Sequence, residues 1–263
     1  MSLPLSEKTI LITRPREQAA ELKIEFERFG ARVHLFPTIE IMPPDNFADL
    51  DAAILNLSIY DWLIFTSRNA VAYLIDRLAA NEVEIAELDY LRVCAIGEAT
   101  FDALTSSQVH VDVLPNEANA ENVFAALCEY LGGADELKNL RFLLPRSAIA
   151  REILPQKLRA AGAAVKDVIA YQTVLPQKPE TGKIKALFGG GAIDCITFTS
   201  PSTFNNFVKI MGDETAILLE NVTVACLGET TANAVRAGGF RVAVTATKQN
   251  AQDFVRAIAD FYQ

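Results

Sequence analysis

The sequence repeats itself, because the two halves of the chain carry the same series of segments in the same order. Residues 11–14 (LITR), followed by a helical pattern to Gly30, match residues 143–146 (LLPR), followed by a helical pattern to Gly162. Three more pairs follow in register: 61–67 with 194–200, 95–100 with 226–231, and 119–121 with 250–252. The repeat therefore predicts two related structural units.

Each copy alternates short apolar segments with longer segments of helical period, which is typical of a parallel sheet covered by helices. In the first copy the strands are expected at 9–13, 32–36, 62–66, 92–96 and 109–114, and the helices are expected to start near Pro15, Phe47, Asn69, Glu98 and Ala120. This number of elements in about 130 residues suits a flavodoxin-like domain. The predicted fold class is α/β, with two flavodoxin-like, doubly wound parallel-sheet domains that arose by duplication.

The link between the domains is expected to consist of two extended segments. Residues 38–42 and 170–174 alternate apolar and polar side chains, and a proline follows each of them. If they pair as a two-stranded connector, domain one comprises 1–42 plus 173–263, and domain two, 43–172, is inserted into it. Periodicity alone leaves two consecutive halves as an alternative. Either arrangement creates a cleft of the kind where ligands bind.

Charge and composition exclude several classes of function. The 33 acidic and 24 basic residues give a net charge of −9, which argues against nucleic-acid binding. The longest apolar runs are only strand length and the N-terminus does not resemble a signal peptide, so we expect a cytoplasmic protein with no membrane segment. Four separated cysteines and two histidines predict no metal site and no Ser-His-Asp triad.

Small hydroxyl residues and glycines follow the predicted strands, each group just before a helix. Since helix N-termini carry unpaired N–H groups and partial positive charge, loops of this kind predict binding of carboxylates or phosphates. Ordinary helix capping is the alternative explanation. No phosphate-binding loop or GxGxxG motif accompanies them. The candidate binding residues are Thr66, Ser67, Gly97, Thr100, Thr199, Ser200, Ser202, Gly228, Thr230 and Thr231.

Four arginines and one tyrosine complete the candidate site. Guanidinium groups suit bidentate binding of carboxylates, although solvated or helix-capping arginines would look the same. Tyr171 lies on the expected connector, where the other copy has Ile39. A functional asymmetry between the copies would explain this difference, and so would an aromatic side chain packed in a hinge. The arginines are Arg14, Arg68 and Arg146 at the ends of predicted strands, and Arg151 about one helical turn farther along the chain.

Seven short segments carry a resemblance to a known family: 11–15 (LITRP), 65–71 (FTSRNAV), 96–100 (IGEAT), 144–146 (LPR) with 151–152 (RE), 170–173 (AYQT), 198–202 (FTSPS) and 227–232 (LGETTA). Their order and spacing over essentially the whole chain resemble the uroporphyrinogen-III synthase family. The resemblance implies two α/β domains bridged by a two-stranded connector, and so favours the inserted-domain arrangement.

The resemblance also implies a reaction in tetrapyrrole (porphyrin and heme) biosynthesis. A lyase of this family cyclises hydroxymethylbilane, with loss of water and inversion of ring D, to uroporphyrinogen III, and needs no cofactor. The expected partners are the bilane substrate and, transiently, the preceding deaminase, and the chain is expected to act as a monomer.

By the family's pattern, Tyr171 assists departure of the hydroxyl group, and the hydroxyl residues and helix N-termini hold the carboxylates of the bilane. Arg14 and Arg146 would also bind carboxylates. In the segment 147–150, directly after Arg146, this chain lacks a glycine that the family often has. A loop without glycine approaches a ligand less closely.

Two alternatives to the synthase remain open. One is a non-enzymatic two-domain clamp, similar to periplasmic binding proteins, that binds a polyanionic small molecule. The other is a sugar-phosphate or nucleotide enzyme on the same scaffold, which the absence of phosphate-loop glycines disfavours.

Overall fold

The computed structural model describes residues 3–117, 119–150, 152–248 and 250–263. Its strands are β1 (Thr9–Ile12), β2 (Arg32–Leu35), β3 (Glu40–Met42), β4 (Trp62–Phe65), β5 (Arg92–Ala95), β6 (Arg141–Ser147), β7 (Ala164–Val174), β8 (Cys195–Phe198), β9 (Thr223–Cys226) and β10 (Val244–Thr245). Its α-helices are α1 (Ala20–Arg28), α2 (Ala48–Ile54), α3 (Arg68–Ala80), α4 (Glu98–Ser106), α5 (Ala120–Leu131), α6 (Ile153–Ala160), α7 (Thr181–Gly189), α8 (Pro201–Met211), α9 (Thr215–Leu219), α10 (Glu229–Ala237) and α11 (Ala251–Phe261).

The chain divides into two compact units. Unit 1 comprises Met1–Glu40 together with Val174–Gln263, and unit 2 comprises Ile41–Thr173. The sheet of unit 1 has the strand order β2-β1-β8-β9-β10, and its neighbouring strands are parallel. Numbered within the unit, this is the order 2-1-3-4-5 of flavodoxin-like, doubly wound sheets. The α/β fold class predicted from the sequence is therefore confirmed.

The sheet of unit 2 has the strand order β3-β7-β6-β4-β5, and an isolated parallel bridge joins Cys94 to Val113 beyond β5. Without the extra edge strand β3, the order β7-β6-β4-β5 matches β2-β1-β8-β9 of unit 1, because β6 and β7 are the repeat counterparts of β1 and β2, and β4 and β5 are those of β8 and β9. Here β4 and β5 come from the first sequence copy, whereas β6 and β7 come from the second. Each unit thus combines strands from both copies of the repeat.

Two details of the sequence prediction are wrong. Residues 109–114 do not form a strand, although Val113 makes the bridge to Cys94. The Asp112 carboxylate accepts the N–H of Val93 at 2.8 Å, and Pro115 follows directly, so regular pairing does not extend. The first helix begins at Ala20 rather than at Pro15, which precedes a short 3-10 turn, Arg16–Gln18.

The apolar runs form strands because their side chains are buried on both faces of each sheet. In β4 every residue is buried. Leu63 and Phe65 pack with Leu74 of α3 on one face, whereas Trp62 and Ile64 pack with helix α5 on the other. The same alternation in β1 and β8 divides the core of unit 1 between two layers of helices. This packing fixes the carboxyl ends of the strands, from which the candidate loops emerge.

Candidate functional site

In unit 2, two helices begin directly after the neighbouring strands β4 and β5. Ser67 caps α3, and its Oγ accepts the N–H of Ala70 at 3.2 Å. Gly97 occupies the equivalent position before α4, with φ 84°. Thr66 is exposed, whereas Thr100, in the first turn of α4, is 3% exposed. Both helices therefore direct their N-termini to the carboxyl edge of the same sheet, as the sequence predicts for an anion site.

Tyr171 is held by contacts with helix α3. Its hydroxyl oxygen lies 2.9 Å from the Oγ of Ser67, a residue 104 positions away in the chain. Its ring stacks on Tyr73 of the same helix, with ring centroids 6.0 Å apart and an interplanar angle of 12°. Tyr171 is only 7% exposed. The geometry thus brings a phenol hydroxyl to the N-terminus of α3.

A β-bulge in β7 turns the side chain of Tyr171 towards helix α3. Arg146 pairs with Ile169 across β6 and β7, but the next residue of β6, Ser147, pairs with Tyr171, which leaves one extra residue, Ala170, in β7. Because side chains alternate along a regular strand, the extra residue places Ala170 and Tyr171 both inside. Ile169, just before the bulge, is 46% exposed.

Arg146 is engaged by carboxylates of its own unit. Its guanidinium forms ion pairs with Glu152 and Asp167 and donates to the carbonyl oxygen of Ala150 at 3.2 Å. Burial alone would raise the pKa of Asp167, but the charge of Arg146 and a hydrogen bond from Arg159 hold this pKa below its usual value. A substrate carboxylate at Arg146 would therefore compete with acids already in place. Arg151, the other arginine proposed near this loop, lies outside the described residues.

Unit 1 presents a related pair of helix N-termini after β8 and β9. Ser200 caps α8 by accepting the N–H of Thr203 at 3.2 Å, and Thr203 Oγ1 accepts the N–H of Ser200 in return. The Oγ atoms of Ser200 and Ser202 lie 2.9 Å apart. Gly228 precedes α10 with φ 88°. Serine capping thus occurs in both copies, which is what ordinary helix capping, the alternative to ligand binding at these loops, requires.

The candidate residues are divided between the two units. Unit 2 contains Thr66, Ser67, Gly97, Thr100, Arg146 and Tyr171, and unit 1 contains Arg14, Thr199, Ser200, Ser202, Gly228, Thr230 and Thr231. In unit 1, Arg14 is half-buried and lies two residues after the end of β1. Thr230 is exposed, whereas the Thr231 side chain is buried and donates to the carbonyl oxygen of Leu227 at 3.4 Å.

Sequence reasoning missed a network of buried threonines beneath the loops of unit 1. Thr13 Oγ1 donates to the carbonyl oxygen of Thr197 at 2.7 Å. Thr38 Oγ1 lies 3.2 Å from the carbonyl oxygen of Thr13 and 3.0 Å from that of Thr203. These bonds fix the ends of β1 and β8 relative to α8. The sequence signal was threonine within or next to apolar runs, where a buried hydroxyl needs a backbone acceptor.

A groove in unit 1 was also not predicted. It has a volume of about 430 Å³ and lies beside the carboxyl end of β2. Its lining combines basic, acidic and apolar side chains, among them Arg16 and Lys178, Glu40 and Glu180, and Phe36 and Ile39. The two positive charges are matched by two negative charges, so this lining does not select an anionic ligand.

Metal and thiol chemistry find no support in the described part of the chain. Its His, Cys, Asp and Glu side chains form no group of three or more that could hold a metal ion. Burial raises the pKa of the Cys94 and Cys226 thiols to about 12, so both remain protonated. Among the described helices, none has both the length and the apolar character that a membrane span requires.

A comparison with family models matches residues 20–256, about nine-tenths of the chain, to the family described as uroporphyrinogen-III synthase HemD. The chain belongs to the uroporphyrinogen-III synthase family. One relative, a uroporphyrinogen-III synthase of Chlorobaculum parvum, is 30% identical over 96% of this chain and 98% of its own length. A second, from Synechococcus elongatus, is 31% identical over 87% of this chain and 85% of its own.

Solved structures of the uroporphyrinogen-III synthase family have the same fold. A mutant enzyme from Thermus thermophilus superposes with a TM-score of 0.64 at 16% identity, covering 97% of this chain and 98% of the other. The Helicobacter pylori protein gives a TM-score of 0.63 at 18% identity, covering 96% and 99%. At these identities the likeness concerns the fold, and the sequence match carries the family assignment.

Proposed function

We propose that this chain is a lyase that cyclises hydroxymethylbilane to uroporphyrinogen III. The observation that carries the proposal is the family match over residues 20–256, with curated synthases as full-length relatives. The bilane loses its hydroxyl group as water to give an azafulvene. The far pyrrole then attacks through its substituted carbon, and the spiro intermediate rearranges so that ring D is inverted on closure.

The helix N-termini in each unit suit the carboxylates of the bilane. The loops at Thr66 and Gly97 in unit 2 and at Thr199 and Gly228 in unit 1 offer backbone N–H groups and the positive ends of helices. An acidic chain can therefore bind a polyanion without many basic side chains. The proposal assigns supporting contacts to Thr100, Ser200, Ser202, Thr230, Thr231, Arg14 and Arg146.

Tyr171 is proposed as the catalytic residue that assists loss of water. Its phenol donates a proton to the leaving hydroxyl group as the carbon–oxygen bond breaks, and the electron pair leaves with the oxygen. The phenolate regains a proton from a pyrrole N–H when the azafulvene forms, so the residue is restored within the cycle. Support comes from the position of the Tyr171 hydroxyl at the positive end of α3, which favours a transient negative charge.

The domain organisation is part of the same proposal. Domain one would comprise residues 1–42 plus 173–263, and domain two would comprise 43–172, so that the chain passes twice through the connector. We propose further that the chain acts as a monomer in the cytoplasm and receives its unstable substrate from the deaminase that makes it.

A turnover measurement separates the enzyme from a clamp. With freshly prepared hydroxymethylbilane in about hundredfold excess over the chain, an enzyme accelerates loss of the whole pool, and the rate rises in proportion to protein concentration. A clamp changes the fate of at most one bilane per chain. Heat-denatured protein is the control, and loss of bilane at the control rate would contradict the proposal.

A further inference from the structure

Ser67 takes part in two hydrogen bonds that form a chain. Its Oγ accepts the N–H of Ala70 at 3.2 Å, which caps α3, and lies 2.9 Å from the hydroxyl oxygen of Tyr171. A serine hydroxyl has one proton and two lone pairs, so after capping the helix it retains its own proton. That proton can be donated to the tyrosine oxygen.

The direction of the second bond determines what Tyr171 can do. If Tyr171 donated to Ser67, its phenol proton would be occupied within the protein. If Ser67 donates instead, the phenol proton is directed away from Ser67 and is available to a ligand. The capping bond from Ala70 polarises the serine O–H and makes it a better donor. The positive end of α3 also favours negative charge that develops on the tyrosine oxygen.

The rest of Tyr171 has little freedom. Stacking on Tyr73 and the bulge at Ala170 hold the ring, and only 7% of the residue is exposed. The phenol oxygen therefore stays in place, and the remaining freedom is rotation of its O–H bond. A donor on the protein side of the oxygen would set that rotation.

Unit 1 shows that capping does not need this pair. Ser200 caps α8 in the same way as Ser67 caps α3, yet its Oγ lies 2.9 Å from Ser202. The position equivalent to Tyr171 is Ile39, which is also 7% exposed. The pairing of a capping serine with a tyrosine is therefore specific to unit 2.

We propose that Ser67 is a positioning residue for the reaction, which donates its proton to the Tyr171 oxygen and so directs the phenol proton towards the leaving hydroxyl group of the substrate. The inference rests on the proposed function of Tyr171. As Tyr171 gives up its proton and water departs, the Ser67 hydroxyl stabilises the phenolate until a pyrrole N–H returns a proton. The Ser67 hydroxyl then acts through Tyr171 rather than as a ligand of a substrate carboxylate.

A double-mutant cycle tests this role. Ser67→Ala and Ser67→Gly are each made alone and in combination with Tyr171→Phe. For each variant, kcat for the formation of isomer III and KM for fresh hydroxymethylbilane are measured. We expect either Ser67 change alone to lower kcat about tenfold, as loss of a hydrogen bond to a charged group would, with KM within about twofold. In the Tyr171→Phe background the same change should alter kcat by less than about twofold.

Two further variants exclude a merely structural effect. Ser67→Thr keeps a hydroxyl group and a side chain that can cap the helix, so this variant should retain most of the wild-type kcat. Asn119→Ala removes the side-chain cap of α5 in the same unit, where Asn119 Oδ1 accepts the N–H of Asn122 at 2.8 Å, and should leave kcat unchanged. If Ser67→Ala does not fold, Ser67→Gly carries the test, because glycine is nearly as good as serine at an N-cap.

Additive losses in the double mutants would overturn the inference, and so would a rise in KM at constant kcat, which would make the Ser67 hydroxyl a substrate ligand. A wild-type chain that forms no isomer III would instead refute the proposed function itself. The two failures are therefore distinguishable.

Discussion

Gly97 and Gly228 adopt nearly the same unusual backbone conformation, with φ 84° and ψ 152° in one and φ 88° and ψ 158° in the other. They occupy matching positions in the two sequence copies and precede α4 and α10. L-residues rarely adopt this conformation, since a Cβ crowds the backbone there. The repeat has thus kept a backbone geometry that directs a helix N-terminus to the sheet edge in each unit.

Replacing either glycine by alanine should strain this turn. We expect Gly97→Ala and Gly228→Ala each to lower the free energy of unfolding by about 1–3 kcal/mol, measured by urea denaturation. Gly182→Ala is the control, because Gly182 lies in α7 and its added Cβ would meet nothing within 4 Å. That change should be neutral or stabilising by up to about 1 kcal/mol. Equal effects at all three sites would contradict the strain argument.

Removal of the Tyr171 hydroxyl should impair turnover without unfolding the chain. Tyr171→Phe retains the ring that stacks on Tyr73 and loses only the bond to Ser67. Loss of proton donation should lower kcat for isomer III about a hundredfold, and the circular dichroism spectrum should be unchanged. Tyr90→Phe, at a tyrosine that is 84% exposed, should retain full activity. Wild-type kcat in Tyr171→Phe would remove Tyr171 from the mechanism.

An ion pair between α2 and α3 should make stability depend on pH. Arg77 donates to both carboxylate oxygens of Asp51, at 2.8 and 2.7 Å, and Asn81 donates to one of them at 2.9 Å. The hydrogen bonds from Arg77 hold the pKa of Asp51 below its usual value of 3.8. At pH 7, Asp51→Asn should therefore lower the free energy of unfolding by about 1 kcal/mol, the upper range for a solvent-accessible pair.

The sign of this dependence follows from the lowered pKa. Above the usual value of 3.8, the carboxylate is charged in the folded and unfolded chains and the stabilisation is complete. As pH falls below it, the unfolded chain takes up the proton first, and the difference between wild type and Asp51→Asn should shrink. Asp49→Asn, at a carboxylate that is 84% exposed, should show little effect. A difference that is constant down to pH 3 would contradict the assignment.

Arg146 should affect both stability and substrate binding if it also binds a substrate carboxylate. Arg146→Gln and Asp167→Asn both disrupt the ion pair that joins β6 to β7, so both should lower the melting temperature. Only Arg146→Gln should also raise KM, because only that change removes the proposed substrate contact. Equal KM values for the two variants would assign Arg146 to structure alone.

Strand and cap positions followed from local sequence patterns. Strands β1, β4 and β8 are runs of apolar residues buried on both faces, and such runs are visible in the sequence. Ser67 and Ser200 precede helices with the side chains that capping requires, so their positions were also predictable.

Contacts between distant segments did not follow from those patterns. The bulge at Ala170 depends on the register of β6 against β7, which periodicity does not define. The hydrogen bond between Ser67 and Tyr171 joins residues that are far apart in the chain, and it depends on that bulge. The ion pair of Arg146 with Asp167 could not be predicted for the same reason, because Asp167 becomes a neighbour of Arg146 only when β6 and β7 pair.

The identity of the product tests the central claim most directly. Fresh hydroxymethylbilane is incubated with the chain, the reaction is stopped with acid, the porphyrinogens are oxidised, and isomers I and III are separated by chromatography beside a control without protein. Because the bilane cyclises unaided to isomer I, the account predicts isomer III, formed faster than isomer I appears in the control. Isomer I alone, at the control rate, would contradict it.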